Sequence, residues 1–417
     1  DENIAIKNAM ADQYEEVDIT RELKDPKAGE VSEEKFKMFN VFDRFDEDGT
    51  LHANRDKIDI EWWKEKKPNV VRKLQERLNN PEEFPQIVKS LFYKSKFSLT
   101  LEEDAQLKVI NSFKKHIAKS QFPTKNVLQN VLANLYWQYF TQNRYKFYNR
   151  TKTESKVDLT DFRTWDLNTL FKEIHTYFNA SLENSDKLQK VNTRDFAAIL
   201  IAQKDANKYR PTLYDFLANN ALEFYKSSET SITRPSYKFI IDNPDYLSDY
   251  KTFSKLKLES KDSLSLQFNA LKVYQKIIQF HQKENNLDAL VDIDIHRLEF
   301  VHQNAIFNDK NEILFTSLSK SFEKNITNEV SGLYAFELAK IYREKANNYL
   351  KTKNEHNRYQ NSYAIDICNS LIKQFPKSLG AKKCTILKNQ IEEKSLSITA
   401  EEYIPLNTNS RLLVNYK

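Results

Sequence analysis

The chain has 417 residues, 64 Lys plus Arg against 59 Asp plus Glu, and four glycines: Gly29, Gly49, Gly332 and Gly380. Average glycine usage is roughly 7%, and no GxGxxG, Walker loop or GxSxG elbow can be written with these four, which sets aside nucleotide-dependent enzymes and α/β-hydrolases. The net charge of +5 is mild; nucleic-acid binders usually show a concentrated basic patch, so no nucleic-acid partner is expected.

Glycine supplies positive-φ turns and strand bulges, so a chain with so little of it reads as all-α, and its 27 Phe and 21 Tyr give ample core material. Residues 1–30 form a polar arm without apolar periodicity. Val31–Asp46 is amphipathic, with Phe36, Phe39 and Phe42 on one side. The phrase Phe42–Leu51 resembles a calcium loop, but with Gly49 at its sixth position Arg44 takes the first and Arg55 the twelfth, where a bidentate Glu is required. A capped helix end is the better reading.

Apolar spacing predicts helices over Ile58–Lys66, Asn69–Leu78, Phe84–Tyr93, Leu101–Lys119 and Thr124–Tyr145. In the last of these Val127, Val131, Leu135 and Tyr139 fall four apart, beside Leu128 and Leu132. Further helices are predicted over Leu167–Leu182, Arg194–Gln203, Thr212–Tyr225, Leu264–Glu284, Leu287–Phe307, Ile313–Asn325, Val330–Leu350, Tyr363–Phe375 and Leu379–Lys394, with Pro123, Pro211 and Pro376 at boundaries. Ser227–Ser260 carries Pro235 and Pro244 with weak periodicity and reads as an irregular connector. Ile404-Pro405 and Arg411–Tyr416 read as extended strands. The domain reading is therefore an arm at 1–30, a first helical lobe at 31–226, a connector at 227–260, a second lobe at 261–396 and the first strands of a β-domain at 397–417.

Part of the second lobe follows the tetratricopeptide pattern. Leu338-Ala339 with Tyr342 matches its first helix, and Ala364, Cys368, Leu371 and Pro376 have the spacing of its second. The halves lie about a dozen residues further apart than a regular repeat allows, so an irregular α-solenoid is expected rather than a clean array.

Leu132–Thr151 is the densest segment, with seven aromatics and two arginines in twenty residues. Tyr136, Trp137, Tyr139, Phe140, Tyr145, Phe147 and Tyr148 with Arg144 and Arg150 are candidates for an interaction platform, since aromatics with Arg make interface hot spots. They equally suit a core between helices, and the core reading is preferred because large aromatics supply most of the burial in a fold of this kind. Arg163 with Asp166, and Arg210 with Asp215, are candidate buried ion pairs. Cys368 and Cys384 lie eight residues either side of Pro376; a helical hairpin there brings them together, as a disulfide or as two buried thiols. The seven histidines have no i, i+4 pair and no HExxH, so neither a metal nor another cofactor is expected. Nothing points to catalysis. A paired-carboxylate glycosidase needs Gly- and Trp-rich loops that four glycines and four tryptophans do not supply.

Leu132–Thr151, then Trp165–Phe171 (WDLNTLF), then Tyr209–Tyr225 (YRPTLYDFLANNALEFY), in that order, resemble the helical N-terminal region of the long alpha-2-macroglobulin-like proteins of Bacteroidetes-type bacteria. The resemblance covers roughly Trp63 to Lys417. It implies a helical scaffold that continues into a macroglobulin-like β-sandwich, in a protein exported to the periplasm or outer-membrane surface. The expected partners are other envelope proteins, and proteases through the whole molecule. The family's CxEQ thioester motif does not occur in these residues. Asp262-Ser263-Leu264 is similar to the O-glycosylation acceptor of that bacterial group. The chain begins at Asp1, which leaves an export leader unobserved, and it holds no apolar run of about 18 residues that would span a membrane; association by an anchor or a partner remains open. The alternatives are a free-standing tetratricopeptide-like adaptor, a glycan-binding envelope protein and, third, a helical glycosidase.

Overall fold

A computed structural model describes residues 88, 91, 105–148, 160–196, 200, 205–231, 237–350, 352–394, 396–401, 403, 406, 407, 409 and 411–416. These are mostly helical, with a two-stranded sheet near the C-terminal end. The N-terminal arm, the Phe36–Phe39–Phe42 helix, the Gly49 loop and the helices expected over Ile58–Lys66 and Asn69–Leu78 lie outside the described residues. Of Phe84–Tyr93, Val88 and Leu91 are described, both helical and buried. The chain divides into two compact units, Asp1–Phe224 and Tyr225–Lys417.

The first unit is built around one helix. From residue 105 onward its described helices are α1 (Ala105–Lys119), α2 (Thr124–Gln142), the short α3 (Arg144–Tyr148), α4 (Leu167–Ser181), α5 (Ser185–Leu188), α6 (Ala206–Tyr209) and α7 (Leu213–Tyr225). α2 packs on α1 and α4. It buries polar as well as apolar side chains along its length, among them Asn126 and Asn130, and a buried amide must find partners. Asn126 Nδ2 donates to the carbonyls of Ser181 and Glu183 at 3.1 and 3.0 Å, groups that the end of α4 leaves without helical partners. Asn130 Nδ2 donates to Ser181 Oγ at 3.1 Å and to the Leu217 carbonyl of α7 at 3.0 Å, while its Oδ1 accepts from Asn220. One asparagine thus ties three helices together.

The helix expected over Arg194–Gln203 is replaced at its start by a 3-10 turn, Thr193–Phe196. The turn is held by long-range bonds that compete with a helix. Thr193 N donates to the Pro211 carbonyl at 3.0 Å, and Leu213 N donates to the Val191 carbonyl at 2.8 Å, pinching a loop shut before α7. The expected ion pairs also differ. Arg163 pairs with Asp161 rather than Asp166, because Asp166 caps α4 by accepting from Thr169 N at 2.7 Å. Asp215 accepts from Thr212 N and Oγ1 at the start of α7.

The second unit runs through α8 (Tyr250–Phe253), α9 (Leu266–Glu284), α10 (Leu287–Asn304), α11 (Lys310–Lys324), α12 (Gly332–Asn347), α13 (Gln360–Gln374) and α14 (Leu379–Glu392). Side-chain caps start several of these: Ser265 for α9, Asn286 for α10 and Ser378 for α14. The left-handed position between α9 and α10 is filled by Asn285, φ 54°, an alternative to glycine that tolerates this conformation.

The stretch read as an irregular connector is built into this unit. Its carbonyls are satisfied by glutamines on one face of α9: Gln275 Nε2 reaches Phe253 and Leu256, and Gln279 Nε2 reaches Ser254 at 2.7 Å. From the other side the fully buried Arg297 of α10 donates to the carbonyls of Tyr246 and Ser248 and pairs with Asp294. The guanidinium lies 4.4 Å from the centre of the Phe253 ring. Tyr334 of α12 donates to the second Asp294 oxygen at 2.8 Å.

α12, α13 and α14 pack on one another through small residues, with Ala335, Ala339, Ala364, Cys368 and Cys384 in one core. Beside that core the two glycines of this region meet. A Cβ on Gly380 would lie 2.4 Å from the Gly332 carbonyl carbon, backbone that no side-chain rotation can move away. Past α14, β1 (Leu396–Ala400) pairs antiparallel with β2 (Leu412–Tyr416), Ile398 opposite Val414. β2 falls within the expected strand Arg411–Tyr416, whereas β1 is a strand the periodicity does not announce, and Ile404-Pro405 lies outside the described residues. Leu396, Ile398, Leu412, Leu413 and Val414 are all exposed on this ribbon.

The close approach at Gly380 gives a test with opposed signs. Helix propensity alone makes Gly380→Ala stabilising by about 1 kcal/mol. Overpacking against Gly332 makes it destabilising by roughly 1–3 kcal/mol. Urea denaturation followed by far-UV circular dichroism is expected to show the loss.

Candidate functional site

The aromatic block is divided by its own helix geometry. Tyr136, Tyr139, Phe140 and Phe147 are buried and Trp137 half-buried. Their rings interlock with those of other elements of the first unit: Tyr136 with Phe162 at 5.3 Å and Trp165 at 5.9 Å, Trp137 with Phe224 at 5.1 Å, Phe140 with Phe171 at 5.0 Å. Most of these are edge-to-face contacts, the arrangement ring quadrupoles favour. Tyr145 and Tyr148 are exposed, as is Arg144. Arg150 lies outside the described residues. The described candidates therefore do not come together as one platform; the larger part of the block is core, and a short exposed strip remains on α3.

Cys368 and Cys384 are brought together. They sit on α13 and α14, are both buried as thiols, and belong to the same core cluster. Ser263 and Leu264 of the Asp262-Ser263-Leu264 phrase are exposed, while Asp262 accepts from the backbone N–H of Phe239 at 3.1 Å.

A site that the sequence reading does not single out lies between α10, α11 and α12. These helices leave a half-open groove of about 370 Å³ with Leu314, Leu318 and Ile341 among its apolar walls. At its rim Lys340 Nζ bonds Glu337 Oε2 at 2.6 Å and Glu299 Oε1 at 3.2 Å. Burial works to lower the Lys340 ammonium, but the bond and charge of Glu337 and the charge of Glu299 outweigh it and raise it above its ordinary value. Burial pushes the Glu337 carboxyl up, a rise that its bond to Lys340 limits. His302 faces Asn311 across the same groove at 2.6 Å. The available signal was the i, i+3 spacing of Glu337 and Lys340, which is common on helices and does not by itself mark a groove.

Among the described residues no group of three His, Cys, Asp or Glu is placed to hold a metal ion, and no helix is long and apolar enough to cross a membrane. No protein-family model, curated protein or solved structure matches the chain.

The aromatic core carries a pH signature. Burial, aided by the Glu173 charge, pushes Tyr177 up to about 12 from 10.0. Burial first, then the charges of Glu173 and Tyr177, carry Tyr136 further up. Unfolded tyrosines release their protons near pH 10 while the folded ones hold theirs, so stability is full below that value and falls as pH rises toward 12. Urea titrations across that range, with tyrosinate absorbance recorded alongside, are expected to show ionisation and unfolding together. The Tyr136 hydroxyl has no hydrogen-bond partner among the described residues. Tyr136→Phe is therefore expected to be neutral, or stabilising by roughly 1 kcal/mol, at neutral pH, and to reduce the alkaline loss.

Proposed function

We propose that this chain is a non-catalytic helical scaffold that docks other proteins, the N-terminal region of a large exported protein of the bacterial alpha-2-macroglobulin-like type. On this reading the helices form an irregular tetratricopeptide-like superhelix. The groove between α10, α11 and α12 carries the proposal: it has an apolar wall to take side chains and a charged rim to orient them, the composition of a site that receives a peptide or a loop. The small-residue packing of α12–α14 supports it, since close helix approach at alanines and glycines is how helical-repeat proteins hold a groove open between rigid walls. The apolar side chains exposed on the β1–β2 ribbon fit a strand pair that belongs to a larger β-domain, as the family resemblance implies. The partners would be envelope proteins, with proteases engaged by the whole molecule, at the periplasm or outer-membrane surface. Burial of much of the aromatic block favours protein docking over sugar stacking.

The test is the intact mass and peptide map of the native protein taken from its own cell envelope. A mass far above 49.3 kDa, with macroglobulin-like β-sandwich sequence following Lys417, is the expected result. A native mass near 49.3 kDa would contradict the reading and leave a free-standing helical adaptor.

A further inference from the structure

The α13–α14 hairpin holds two nucleophilic side chains that packing alone does not require. Cys368 and Cys384 have no exposed surface. They face each other within a core of Ala335, Ala339, Ala364, Leu371, Leu387 and Ile391, where alanines or valines would fill comparable space. Each lies on a helix, α13 or α14, so the approach of the sulfurs is fixed by two packed helices rather than by a mobile loop. Both side chains belong to one buried cluster between two helices that pack on each other, the placement a bond across the hairpin needs. They are sixteen residues apart in sequence, so a bond between them closes a short loop.

We infer that Cys368 and Cys384 are a disulfide-forming pair, a staple across the α13–α14 hairpin that closes by exchange with a low-molecular-weight disulfide. The Cys368 thiolate attacks one sulfur of the oxidant, expels one thiolate and leaves a mixed disulfide on the protein. The Cys384 thiolate then attacks the Cys368 sulfur and expels the second. Two protein S–H bonds are lost, one protein S–S bond forms, and the oxidant is reduced to two thiols. In the closed core the Cys384 side chain and the Lys388 charge lower the Cys368 thiol from its ordinary value, against burial. Because both sulfurs are buried, the bond forms during folding or transient opening of the hairpin and is shielded from reductant once the core has closed. The inference rests on the geometry of the second unit alone and does not depend on the proposed family or compartment.

The experiment uses the full chain, reduced, desalted and incubated with oxidised glutathione with and without mild denaturant. Free thiols are then alkylated in strong denaturant before intact mass is measured. The expected product has lost two hydrogens and takes no alkyl group. Its melting temperature is expected to rise by roughly 6–12 °C, the effect of closing a loop of about 15 residues in a unit of this size, and to fall back with dithiothreitol. In Cys384→Ala the reaction is expected to stop at one glutathione adduct, with no such rise. Two alkylated cysteines in the wild-type chain, glutathione adducts that never resolve, or a bond that leaves the melting temperature unchanged would each overturn the inference. The wild-type comparison stands even if the variant folds poorly.

Discussion

Arg297 is fully buried, and the second unit is arranged around what that charge demands. A guanidinium removed from water needs a counter-charge and acceptors for its remaining N–H groups. Asp294, one turn earlier on α10, supplies the charge. The acceptors are the carbonyls of Tyr246 and Ser248, which belong to a segment with too little regular structure to satisfy its own backbone. Two incomplete sets of hydrogen bonds thus complete each other. Removing one member would strand the rest in the core, at a cost of about 3–5 kcal/mol for a buried pair.

The same cluster sets the groove. Tyr334 donates to the Asp294 oxygen that Arg297 leaves open, and so fixes α12 against α10. Six residues further along α12, Lys340 spans to Glu299 of α10 at the groove rim. Two walls of the groove are therefore tied to each other both by a buried tyrosine–carboxylate bond and by the Lys340–Glu299 pair at its rim. Glycine scarcity acts in the same direction. With few positions free to bend, left-handed corners go to Asn184, Asp205 and Asn285, and Gly332 and Gly380 are spent on one helix crossing.

The periodicity made most of the helices in the described residues legible, and α9, α10 and α14 begin or end within a few residues of the expected bounds. It did so because a buried helical face leaves its trace every three or four residues. What failed was decided at long range. The helix predicted over Arg194–Gln203 starts as the 3-10 turn Thr193–Phe196, where Thr193 bonds to Pro211, a partner that local spacing cannot reveal. Asp166 carried two plausible roles, ion pair and helix cap, and the cap prevailed. Strand β1 is visible only through its partner β2. The cysteine pair could be read from its symmetry about Pro376, while the groove could not, because its rim residues come from separate helices whose juxtaposition depends on the Asp294 cluster. In the aromatic block, composition marked the segment but could not separate the buried Tyr136 from the exposed Tyr145.

The part of the irregular segment from Tyr246 to Leu256 is thus bonded to α9 and α10, and native-state hydrogen exchange tests that most directly. The backbone amides of Thr252, Phe253 and Ser254, which have no place in a long helix, are predicted to exchange as slowly as those at the centre of α10, and to lose that protection together with α10 when Arg297 is replaced by Met. Exchange of these amides at the rate of an open loop in the wild-type chain, with α10 still protected, would contradict the account.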